Sequence, residues 1–64
     1  MKFKTLSELE DYYWKIISED DSIVSVSAVL NETGREGSVY GFDVQDDCDV
    51  IVGYFVKRWN SYYI

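Results

Sequence analysis

Two hydrophobic periods divide this chain. From Leu6 to Ile17 apolar residues recur at helical spacing: Leu6, Leu9, Tyr13, Ile16 and Ile17 form one face, flanked by Tyr12 and Trp14. Glu8, Asp11, Lys15 and Glu19 fall opposite. Thr5-Leu6-Ser7-Glu8 fits a capping box, with Thr5 as cap and Glu8 reaching back, and Ser7 to Glu10 repeats the pattern. A helix is therefore expected from about Thr5 to about Glu19, after a short lead-in over Met1 to Lys4.

Beyond Ser22 the period falls to two. Val24, Val26, Ala28 and Leu30 alternate with Ile23, Ser25, Ser27 and Val29, which predicts a strand with the first set toward the core. Asn31 to Gly37 carries two glycines and reads as a turn. Ser38 to Gln45 is a second strand with Tyr40, Phe42 and Val44 on one face. After a turn at Asp46-Asp47, Asp49 to about Trp59 is a third, with Val50, Val52, Tyr54 and Val56 toward the core. No proline interrupts these runs. Asn60 to Ile64 either extends the third strand or turns back as a tail. The expected fold is α+β: one N-terminal helix on a three-stranded antiparallel meander (α-β-β-β), a single domain over residues 1–64. Short connections favour sequential hairpins.

Length then bounds stability. A chain of 64 residues hides only about 60% of the surface its unfolded form exposes. Six Tyr, three Phe and two Trp offset this, each burying roughly 150–250 Å². Hydrophobic residues make up 47% of the chain, too many for a disordered acidic tail.

Charge changes the picture most. Twelve Asp and Glu stand against six Lys and Arg, for a formal net charge of -6. Seven acids fall in two clusters: Glu19, Asp20 and Asp21, then Asp43, Asp46, Asp47 and Asp49. The helix end and the first strand's start share one end of the expected meander, and the second strand returns to it. Both clusters therefore converge there, with Arg35, Lys57 and Arg58 at the opposite end. Acids at a helix C-terminus oppose its dipole, and such broken local rules mark functional sites. These carboxylates either meet a basic partner surface or keep a small aromatic-rich chain soluble. The charge argues against direct binding of nucleic acid or an anionic membrane.

The residues of common catalytic sites are missing. Histidine is absent. Cys48 lacks a neighbouring base and shares the alternation of Val50 and Val52, so an inert buried thiol is expected. Gly34 to Gly37 is not a phosphate loop. The acids at 43–49 lack the spacing, glycine and distal Glu of a calcium loop, so no cofactor or metal is expected. A lone cysteine, no signal-like apolar run and no span of about 20 apolar residues point to the cytoplasm.

The expected second face of the sheet, with Ile23, Val29, Val39, Ile51, Phe55 and Trp59, is too apolar to remain wet. Ile51, Phe55 and Trp59 are its candidate interface residues, for a partner or for a homodimer.

In size, acidity and element order the chain resembles small phage-encoded inhibitors, among them acidic anti-CRISPR proteins and DNA mimics. The helix from Thr5, the three strands and the two acid clusters carry the resemblance. It implies a non-enzymatic protein that blocks a basic, nucleic-acid-binding surface of a partner, such as a nucleic-acid enzyme, through Glu19, Asp20, Asp21, Asp43, Asp46, Asp47 and Asp49. The alternative is a small homodimeric or accessory module.

Overall fold

The computed structural model describes residues 1–19, 22–44 and 48–64, with the backbone alone at Cys48. Its elements are β1 (Lys2–Phe3), α1 (Leu6–Ile17), β2 (Ile23–Leu30), β3 (Glu36–Asp43), β4 (Cys48–Arg58) and β5 (Ser61–Tyr63). The α+β class holds, and β2-β3-β4 is the expected antiparallel meander. The sheet, however, has five strands rather than three, in the order β1-β5-β4-β3-β2. Asn60 to Ile64 turns back: Arg58 pairs with Ser61, and β5 runs antiparallel beside β4. The lead-in supplies the fifth strand, with Lys2 opposite Tyr63 and Phe3 opposite Tyr62. Strands of two and three residues are too short to show a period, so hydrophobic patterning alone does not reveal them.

Helix α1 starts as its sequence dictates. Thr5 holds an extended backbone and its Oγ1 accepts from the Glu8 N–H at 3.2 Å. Glu8 Oε2 reaches back one residue beyond the cap, accepting from the Lys4 N–H at 2.9 Å. The helix closes at Ser18, whose N–H donates to the Trp14 carbonyl. It ends two residues short of the expected limit. Leu9 is fully buried, with Leu6, Tyr12 and Tyr13 packed around it. Ile16, expected on the buried face, is half exposed.

Two β-bulges decide which residues meet the helix. On β4, Val39 pairs with Gly53 but Tyr40 pairs with Ile51, leaving Val52 as an extra residue. On β2, Ile23 pairs with Asp43 but Ser25 with Phe42, leaving Val24 extra. An extra residue reverses the alternation beyond it. The expected core faces are corrected accordingly. Past the β4 bulge Phe55, at 3% exposure, lies in the core with Leu9, Ala28 and Phe3. Val39, at 0%, joins them from β3, which has no extra residue and turns this face to the helix level with Ala28 and Gly53. Ile23 is also buried. Tyr54 and Val56, expected inside, are exposed, as is Val24.

Two strand glycines admit the large side chains. A Cβ at Gly53 would collide with the Tyr13 ring, and one at Gly37 would collide with the Phe55 ring. Burial raises the Tyr13 phenol pKa above 10.0, and Tyr12 adds to the rise. Toward β1 the core is aromatic: Phe3 lies 5.5 Å from Tyr12, and Phe55 lies 5.8 Å from Tyr62 edge-to-face.

The molecule is thin. Its principal extents are 37 × 23 × 13 Å. Its radius of gyration of 11.7 Å exceeds the roughly 10.7 Å of a compact chain this long. One helix covers one face of the sheet, packing chiefly over β2, and nothing among the described residues covers the other face.

Candidate functional site: a charged end and an open sheet face

Register fixes where the charges fall. Ile23, Asp43 and Cys48 stand side by side across β2, β3 and β4, and the Val44 N–H donates to the Ser22 carbonyl. Asp43 therefore sits at the same end as the start of β4, where Asp49 pairs with Phe42. Glu19 follows the C-cap of α1, just before β2 begins, and is exposed. These three candidate carboxylates share one end, as expected from the meander. Asp20, Asp21, Asp46 and Asp47 lie outside the described residues, as does the Cys48 side chain. No group of three or more His, Cys, Asp or Glu able to hold a metal ion occurs among the described residues.

The opposite end collects cations. Arg35 and Lys57 are joined through their backbones, the Lys57 N–H donating to the Arg35 carbonyl at 2.6 Å. Arg58 ends β4. The pairing of β1 with β5 adds Lys2 and Lys4 to this end. Five of the six cations thus gather there, among Glu8, Glu32 and Glu36. The sequence reading missed Lys2 and Lys4 because it left β1 unpaired. The Lys57 ammonium lies 5.7 Å from the Tyr62 ring centroid, a cation–π contact.

The loop between β2 and β3 is built at this end. Asn31 Oδ1 accepts from the Thr33 N–H at 3.1 Å and from the Thr33 hydroxyl at 2.6 Å. Asn31 Nδ2 donates to Glu36 Oε1 at 3.3 Å. Gly34 takes φ +69°, the left-handed turn geometry that glycine adopts without steric cost.

The open face follows from the bulges. Side chains that share a pairing share a face. Asp49 with Phe42, Ile51 with Tyr40, Tyr54 with Ser38, and Val56 with Glu36 and Tyr63 all point away from α1. Alternation adds Arg58 and Lys2. Tyr54 is 68% exposed and Ile51 51%. An open groove of about 580 Å³ runs between Asn31, Glu36, Ser38, Tyr54, Val56 and Tyr63.

The three candidate interface residues divide. Ile51 lies on the open face. Phe55 is in the core, because the bulge at Val52 turns it toward the helix. Trp59 belongs to the two-residue turn between β4 and β5. It is 94% exposed and, among described non-glycine residues, alone has positive φ, at 57°. Interior glycines are a strand-level signal for bulges or close approaches, and Gly53 marks the β4 bulge.

No helix among the described residues is long and apolar enough to cross a membrane. The chain matches no family model, no curated protein and no solved structure.

Proposed function

We propose that this chain is a non-enzymatic binding protein whose acidic end occupies a basic, nucleic-acid-binding surface of a partner protein in the cytoplasm. One observation carries the reading: Glu19, Asp43 and Asp49 share one end of a 37 Å molecule, while five cations gather at the other. Charge separated along the long axis orients the molecule in a partner's field and speeds encounter. Alternate strand residues lie about 6–7 Å apart, comparable with successive phosphates of an extended strand. Inhibition by such a protein is stoichiometric and needs no cofactor.

Capture from a host lysate tests this, with the wild-type chain and a Glu19→Lys/Asp46→Lys/Asp47→Lys/Asp49→Lys variant as baits. Glu19 and Asp49 are exposed, so reversing them removes no packing. The wild type should retain a basic nucleic-acid-binding protein that is released by about 0.5 M salt, where the screening length is only a few ångströms. The variant should not retain it. Equal capture by both baits would sink the reading. A second reading, an accessory module that acts through apolar contact, is favoured by the uncovered sheet face.

A further inference from the structure

The face of the sheet away from α1 has a definite charge pattern. Along β4 it runs Asp49, Ile51, Tyr54, Val56, Arg58: an acid, an apolar middle, a base. Tyr40 and Phe42 of β3 and Tyr63 of β5 widen the middle. Beneath it the core is small, with only Leu9 and Val39 completely buried among the described side chains. The accessible surface, 4602 Å², exceeds the roughly 4,250 Å² of a compact chain of 7.5 kDa. The molecule has the anatomy of half a sandwich.

We propose that the occupant of this face is a second copy of the same chain, packed sheet to sheet with its strands antiparallel to the first. Size and charge together choose this occupant. A stable interface buries about 800 Å² per partner, and a footprint bounded by 37 and 23 Å can supply it. Face-to-face packing of two identical sheets admits two simple two-fold axes. An axis along the strands sets Asp49 against Asp49 and Arg58 against Arg58. An axis across the strands sets Asp49 of each copy against Arg58 of the other. The second pairs opposite charges at both rims, as an isologous interface requires.

The register follows. Nine residues separate Asp49 from Arg58, about 30 Å of strand, and the axis crosses β4 near Tyr54. Ile51 then meets Val56 of the second copy, and Tyr54 meets its own mate. Glu36, level with Val56 on β3, falls opposite Tyr40 rather than an acid. Packed sheets keep strand directions within about 30°, so these pairs stay in reach. Glu19 and Asp43 lie off this face, whereas Asp49 belongs both to it and to the acidic end, so Tyr54→Asp, which leaves the acidic end intact, separates the dimer from the contact proposed above.

Analytical ultracentrifugation of the purified chain from about 1 µM to 1 mM tests the proposal, with circular dichroism to check folding. The wild type should convert from monomer to dimer within that range. Tyr54→Asp, at a largely exposed site outside the monomer's core, should raise the dissociation constant at least tenfold. Asp49→Arg and Arg58→Glu should each weaken the dimer several-fold, and the double variant should restore it. A wild-type monomer throughout would overturn the proposal, as would a dimer indifferent to Tyr54→Asp. Association left unchanged or tightened by Asp49→Arg alone would overturn the antiparallel arrangement, because in the other one the change only replaces one like-charged pair by another.

Discussion

At the scale of single residues, Trp59 is the chain's most costly local choice. A bulky side chain at φ 57° pays about 1–2 kcal/mol that glycine would not, and its 94% exposure shows that no packing compensates. Glycine's greater freedom in the unfolded chain offsets part of any gain. Trp59→Gly should therefore stabilise the fold by about 0.5–1 kcal/mol, seen as a melting temperature several degrees higher. A lower melting temperature would mean that the indole makes a stabilising contact in solution. Strain kept at an exposed aromatic beside Lys57 and Arg58 is where a contact with another molecule is expected. The residue scale is also where sequence reading fared worst. Phe55 belongs to an alternation that looks outward until the bulge at Val52 is counted, since a one-residue slip exchanges every face beyond it, whereas Val39 lies on the unbulged β3, whose two apolar faces the period alone does not rank.

At the scale of elements, the hydrogen bonds at the helix start, the meander and its direction were legible, because long periodic runs and a cap carry their own signals. β1 and β5 were not, having two and three residues. The position of α1 over an edge strand was equally hidden, and it matters. The Ala28 N–H of β2 donates to Glu10 Oε2 at 2.9 Å, so a helix side chain occupies a backbone donor in the middle of the free edge. Exposed edges template pairing with other chains, and a charge placed there blocks it. Glu10→Ala should leave the helix formed but speed amide exchange at Ala28 by about tenfold and increase aggregation on heating. Unchanged exchange at that amide, followed by NMR, would show that the carboxylate does not guard the edge.

At the scale of the whole molecule, the net charge of -6 acts against the compact state. Glu19 adds to this beside the negative end of the α1 dipole. Screening should relieve both. Raising sodium chloride from 10 to 300 mM at pH 7 should raise the melting temperature by a few degrees, because the screening length falls from about 30 Å to below 8 Å. A melting temperature that falls would mean attraction between the two ends outweighs repulsion within one. The experiment needs dilute protein, so that salt acts on the fold and not on the proposed dimer.

The pairing of Lys2–Phe3 with Ser61–Tyr63 has a kinetic consequence. Partners in β2-β3-β4 lie within about twenty residues of one another, whereas Phe3 and Tyr62 must close a loop of nearly sixty. Tripling the loop costs about 1 kcal/mol more in closure entropy, and the return, two ladder pairs, the reciprocal Met1–Ile64 bonds and the burial of Phe3, comes only once the sheet and helix are there to receive it. The hairpins therefore form early and the β1–β5 seam late, in the order that local contacts impose on small domains. The seam also brings Lys2 and Lys4 to the end that holds Arg35, Lys57 and Arg58. The carboxylate end assembles with the hairpins, and the cationic end is completed only when the chain's first residues dock against its last.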